Sequence, residues 1–207
     1  GLVEALRGVD AVVDVTSVQT QRTRESEEFF GTVTRHLLAA EADAGVGHHV
    51  ALSIVGIDAA PTGYYAGKVL QERLVAEGPV PWTVLRATQF HEFAQQVHGG
   101  FTLGPLVLVP VMRSQPVAAR EVGERLVGLA EQAPVGRATD LGGPETFRMV
   151  DLVRRYAAAI GDGRRVVPLP LPGRFGRAMR DGSLVPGPAA DHGTQTFEQW
   201  LETVGPR

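Results

Sequence analysis

Between residues 9 and 90 short apolar runs alternate with amphipathic ones, and this alternation constrains the fold more than any other feature. "VDAVVDVTS" is brief and valine-rich, and reads as a buried strand ending at Thr16 and Ser17. After the polar loop "VQTQRTRES" comes "EEFFGTVTRHLLAAEADAG", where Phe30, Val33, Leu37 and Leu38 recur at helical spacing and Gly45 and Gly47 mark the stop. "HHVALSIVG" is a second buried strand. "APTGYYAGKVLQERLVAEG" is a second helix, with Thr62 as its expected cap and Gly78 as its stop, and "PWTVLRATQF" is a third strand. Strands and helices in this order make βαβ units. The expected fold class is therefore α/β, a doubly wound parallel sheet with helices on both faces and right-handed crossovers.

After Phe90 the pattern loosens. "HEFAQQVHGG" reads as a short helix or loop, "PLVLVPVM" as a strand cut by Pro110, and "GRATDLGG" as one short strand. Proline limits "RRVVPLPLP" to an edge or a surface position. "TQTFEQWLETV" is a final short helix. The expected division is one doubly wound domain over residues 1–90 and a smaller lobe over residues 91–207 packed on the same sheet.

Composition excludes several function classes. A net charge of −3 over 207 residues offers no basic face for nucleic acid. No apolar run reaches the length that spans a bilayer, so no membrane role is expected. Cysteine is absent, which removes disulfides, thiolate catalysis and cysteine zinc sites together. A cytoplasmic location follows as the default. His48, His49, His91 and His98 lack the spacing of a metal helix, and read as surface or partly buried histidines. No metal site is expected.

The chemistry concentrates in "GYYAGK". Tyr64 and Lys68 are one helical turn apart on a shared face. A phenol titrates near ~10, and a cation held beside it favours the phenolate, so such a pair suits acid–base work on an alcohol or carbonyl oxygen. Lys68 is the only lysine among 20 basic residues. A solvated helix face would accept arginine equally well, whereas a site that needs a compact, flexible ammonium would not. Tyr65 points about 100° away around the helix and is expected to pack. Ser53 lies in the carboxyl half of the second strand, the edge at which open α/β sheets bind ligands, and its hydroxyl could donate to a substrate carbonyl.

With Ser53, "GYYAGK" and "WTVLRATQF" in this order, the chain resembles the short-chain dehydrogenase/reductase superfamily. More narrowly it is similar to its atypical, NmrA-like branch, through "VVDVTS", "HHVALSIVGI", "YYAGKVLQERLV", "PWTVLRATQFHEF" and "DLGGPETFRMVDLVRRYA". The resemblance implies an NAD(P)H cofactor, with no preference between NAD and NADP, and hydride transfer to a carbonyl, quinone or related acceptor. Tyr64 would exchange the proton, Lys68 would bind the nicotinamide ribose and lower the tyrosine's pKa, and Ser53 would orient the substrate oxygen. Thr16 and Ser17 would lie toward the adenosine end of the cofactor, and Thr88, Gln89 and Phe90 near the nicotinamide. His91 would line the substrate pocket. The expected partner is a small-molecule substrate, with a homodimer as a compatible assembly. No glycine-rich turn leads from a strand into a helix, so the chain is expected to be a fragment lacking the family's first three strands. Asparagine, frequent in the family's active sites, is absent. A non-catalytic NAD(P)-binding redox sensor is the alternative.

Overall fold

The computed structural model describes residues 1–205. In chain order the elements are α1 (Leu2–Ala5), β1 (Ala11–Asp14), α2 (Thr23–Ala44), β2 (His48–Ile54), a 3-10 turn (Ile57–Ala59), α3 (Tyr64–Glu77) and β3 (Trp82–Ala87). There follow α4 (Phe93–Gly100), β4 (Thr102–Leu103), β5 (Leu106–Pro110), β6 (Arg113–Ser114), α5 (Ala119–Ala130), β7 (Gly136–Arg137) and β8 (Leu141–Gly142). The last are β9 (Phe147–Arg148), α6 (Met149–Ala159), β10 (Arg165–Leu169), α7 (Gly173–Asp181), β11 (Asp191–His192) and α8 (Phe197–Leu201). Two compact units emerge, Gly1–Ala87 with Gly123–Asp140, and Thr88–Val122 with Leu141 onward.

The first unit is built on parallel strands in the order β1, β2, β3, β7. Ala11 lies opposite His48, His49 opposite Trp82, and Thr83 opposite Gly136. Side chains alternate across a strand, so His49, Ala51 and Ser53 share one face of β2. Ala51 packs there on Val75 of α3, and His49 meets Glu41 of α2. The opposite face carries His48, which lies against the backbone of Ala130 and Gln132 at the end of α5. Helices thus flank both faces, as the βα alternation predicts.

Local corrections have tertiary causes. Helix α2 starts at Thr23, inside the expected loop, because residues distant in sequence pin its first turn: the Gly63 amide donates to Thr23 Oγ1 at 2.9 Å, and Ser26 Oγ donates to the Tyr64 carbonyl at 2.9 Å. It ends at Gly45, whose left-handed backbone (φ 77°) is the expected stop. The cap of α3 is Gly63 with φ 59°, not Thr62. β1 is only half buried. Val12 packs with Leu6, Ala40 and Val46, while Val13 and Val15 are 38% and 56% exposed.

Helices α2 and α3 approach closely because Gly67 has no side chain. A Cβ there would lie 2.2 Å from Ser26 Oγ and 2.5 Å from the Phe30 ring. The second unit holds three small sheets: β10–β5–β4, β8–β11 and β6–β9. β10 takes the edge position that Pro168 requires. "GRATDLGG" forms two separate short strands, β7 and β8, rather than one. Phe147, Tyr156, Phe197 and Trp200 gather into an aromatic cluster, and Thr196 and Gln199 close a capping box on α8.

Candidate active site

Helix α3 presents Tyr64, Lys68, Gln71 and Val75 as one stripe toward the sheet, since these positions recur at helical spacing. Val75 anchors the stripe in the core at its far end. The other three meet the carboxyl ends of β1 and β2.

Tyr64 is half-buried. Its ring stands edge-on to Phe30, with centroids 5.4 Å apart, and its hydroxyl lies 3.0 Å from Ser17 Oγ. Burial raises its pKa, the Ser17 hydroxyl opposes that, and the Asp14 carboxylate adds to it. The resemblance implied a tyrosine lowered by Lys68; the phenol here is raised, and its neighbour is Ser17. Tyr65 is half-buried beside it.

Lys68 is no surface charge, being 3% exposed. Its Nζ donates to the Leu52 carbonyl at 2.6 Å and to Gln71 Oε1, and it stands 4.9 Å above the Phe30 ring. Burial lowers its pKa to about 8, against the opposing pull of Asp14 and Glu72. Gln71 is itself buried and donates through Nε2 to Asp14 Oδ2 at 2.7 Å. The other Asp14 oxygen accepts the Thr16 amide at 2.9 Å, which fixes the start of the loop that carries Ser17. Asp14 and Gln71 escaped the sequence reading. The one signal available was an acid at the end of an otherwise apolar strand, "VVDV".

Ser53 is 2% exposed and its Oγ has no hydrogen-bond partner; Thr16 Oγ1 is buried and likewise unpartnered. Buried hydroxyls normally find a partner, and these two orphans both lie at the carboxyl ends of adjacent strands. Nearby, Arg86 of β3 forks onto Glu72 at 2.6 and 2.7 Å and reaches Asp58 at 2.5 Å. Its own burial is outweighed by these two carboxylates, and its pKa rises. The network locks the 3-10 turn and α3 onto the sheet. Arg22, in the loop before α2, is exposed and paired with Glu25 at 2.6 Å.

In the second unit, Thr88 Oγ1 donates to the Gln115 carbonyl at 2.5 Å, and Gln89 Oε1 accepts from Ser114 Oγ at 2.9 Å while its Nε2 is buried without a partner. Phe90 bridges to Val117. His91 is fully buried against Phe197 and Trp200, with Nε2 3.2 Å from the Gln195 carbonyl and Nδ1 unpartnered. Burial lowers its pKa despite that carbonyl and nearby glutamates. The expectation of surface or partly buried histidines fails for His48, His49, His91 and His98, all of which are buried. His49 is held by Glu41, His48 by Thr83 Oγ1 at 2.8 Å, and His98 lies 3.0 Å from Asp162. Among the described residues no cluster fit for a metal ion occurs, and no helix is long and apolar enough to cross a membrane.

Several solved structures share this fold. A nucleoside-diphosphate-sugar epimerase from Staphylococcus aureus superposes with a TM-score of 0.71 at 15% identity, over 97% of this chain and 79% of that one. An NADPH-dependent quinone oxidoreductase from Escherichia coli gives 0.67 at 14% identity, over 98% and 78%. A short-chain dehydrogenase/reductase superfamily protein from Agrobacterium tumefaciens with bound NAD gives 0.67 at 18% identity, over 98% and 80%. At these identities the likeness is one of fold, and it bears out a Rossmann-like α/β class. No family model matches the chain, and no curated protein matches it.

Proposed function

We propose that the chain is an NAD(P)H-dependent oxidoreductase that reduces a carbonyl, quinone or related small-molecule acceptor. The observation that carries this is the Tyr64–Ser17 hydroxyl pair one helical turn from a buried ammonium, at the carboxyl ends of parallel strands. The solved neighbours support the cofactor class, since two of the three described name NADPH or NAD.

The residues present fit the nicotinamide end of such a cofactor. The unpartnered Ser53 and Thr16 hydroxyls suit a substrate oxygen and a ribose, Ser17 serves Tyr64 in this reading rather than the adenosine end that the resemblance implied, and Lys68 has a third N–H beyond the two it uses. When bound, the reduced nicotinamide supplies a hydride. Tyr64 donates a proton to the acceptor oxygen, and Ser17, which is exposed, relays a proton from solvent back to the phenolate. A phenol raised by burial stays protonated at neutral pH, which suits the reducing direction. The Lys68 charge, little screened by water, stabilises negative charge developing on that oxygen.

The second reading is an NAD(P)-binding redox sensor without turnover. It is favoured by the inward hold on Lys68 by Leu52 and Gln71. Tyr64→Phe separates the two. Loss of about 10²-fold or more in kcat with nucleotide binding intact supports the enzyme. Turnover unchanged by the substitution would remove Tyr64 from the chemistry. Nucleotide binding by the unsubstituted chain, with no turnover across a carbonyl and quinone panel, would establish the sensor.

A further inference from the structure

Asp14, Gln71 and Lys68 form a chain of buried side chains, of which composition and spacing announce Lys68 alone. Asp14 is 2% exposed, Gln71 1% and Lys68 3%. The Asp14 carboxylate accepts in two directions at once, from Gln71 Nε2 through Oδ2 and from the Thr16 amide through Oδ1. Gln71 then turns its carbonyl oxygen to the Lys68 ammonium. One residue past Thr16's bond, the loop delivers Ser17 to the Tyr64 hydroxyl at 3.0 Å. Lys68 and Tyr64 sit one turn apart on α3. The path from Asp14 through Gln71, Lys68, α3, Tyr64 and Ser17 therefore returns to Asp14.

We infer that Asp14 is the positioning residue of the site: one carboxylate sets both the Lys68 ammonium, through Gln71, and the Ser17–Tyr64 hydroxyl pair, through the Thr16 amide. The catalytic meaning of this rests on the proposed function; the electrostatic link itself does not. The chemistry requires an aspartate, not merely a polar residue. Two donors approach from different sides, and only an ionised carboxylate offers two acceptor oxygens and no N–H. Asparagine satisfies one donor and turns its own amide group toward the other.

The arrangement also explains why an amide is interposed. A carboxylate touching Lys68 would hold the ammonium in a closed ion pair. Gln71 passes on the orientation and part of the field while leaving Lys68 a free N–H. The other charged group facing Lys68 is Glu72 on α3, and Arg86 of β3 and Arg137 of β7 engage it, at 2.6 and 3.5 Å. From α2 the neighbour is the uncharged Phe30 ring.

The test uses the single lysine. In protein carrying 13C-lysine, one side-chain signal reports Lys68 and is titrated by NMR without cofactor. Asp14→Asn is expected to lower its midpoint by about one pH unit, because a nearby negative charge favouring the ammonium is gone. Gln71→Met, which keeps volume and removes the relay, is expected to lower it as well. Should Asp14→Asn not fold, Gln71→Met alone decides. An unmoved midpoint in a folded variant would overturn the inference and leave Asp14 a purely structural residue. In the enzyme, both variants are expected to lower kcat more than they raise KM. A shifted midpoint with unchanged kcat would uphold the link and count against the oxidoreductase reading, so the two failures are distinguishable.

Discussion

Each end of the first unit's parallel sheet buries an acid and a base, and the two ends treat them in opposite ways. At the amino end, where β2 begins, His49 Nδ1 lies 2.9 Å from both oxygens of Glu41, and neither side chain has any exposure. Acid and base touch there, and the pair ties the end of α2 to the sheet. At the carboxyl end, Asp14 and Lys68 are kept one side chain apart by Gln71. Direct contact at the amino end uses both groups to hold the fold. Separation leaves the charge directed at whatever occupies the strand ends. On the proposed function, this contrast separates the end that holds the fold from the end that would meet the ligand.

The sharpest way to break the comparison is at the amino end. His49→Leu strands a buried carboxylate and is expected to destabilise the chain by about 3–5 kcal/mol in urea unfolding. Adding Glu41→Met should restore most of that loss, since a well-packed apolar pair replaces a buried hydrogen-bonded one at little net cost. A double variant as unstable as the single would mean that the pair is not a self-contained unit.

Lys68 is expected to show the opposite behaviour through its pH dependence. Its folded pKa of about 8 lies below its value in an unfolded chain. Between about pH 8 and pH 10 the unfolded chain therefore binds the extra proton, and stability rises as pH rises through that window. At about 1.4 kcal/mol per unit, the gain is roughly 2–3 kcal/mol. Lys68→Met should abolish the rise, measured as the difference in unfolding free energy between pH 8 and pH 10. A rise that survives the substitution would assign it to another group.

A further effect belongs to Gly67→Ala. Its Cβ would press on the Ser26 side chain and backbone carbonyl and on Phe30, and overpacking of this kind costs about 1–3 kcal/mol, more where backbone must shift. Because Phe30 contacts both Tyr64 and Lys68, the disturbance should reach the carboxyl end, while the His49–Glu41 pair stays in place. NMR shifts of the Tyr64 and His49 rings would measure the two ends separately.

The βα alternation was legible because each element carries its own period: valine runs for strands, Phe30, Val33, Leu37 and Leu38 for a helix, Gly45 for its stop. The edge position of β10 was legible because proline lacks the N–H a central strand must donate. Tyr64 and Lys68 stood out by spacing and rarity, and Ser53 by its place in the carboxyl half of a strand. What Lys68 touches did not, because its link to Asp14 runs through Gln71 across 57 residues of sequence. The burial of His48 and His49 was hidden for the same reason: their partners Thr83 and Glu41 lie on other elements, and no local pattern names them. The start of α2 at Thr23 depends on Gly63 and Tyr64, again beyond any local window.

A single buried lysine also makes the chain its own reporter of opening. A lysine-specific endoprotease finds one cleavage point in these 207 residues, inside α3 and shielded by Phe30, Gln71 and the Leu52 carbonyl. Cutting there requires α3 to come away from the sheet, so the rate of digestion measures how often the site falls open. A ligand that closes over the strand ends should slow it in proportion to its occupancy.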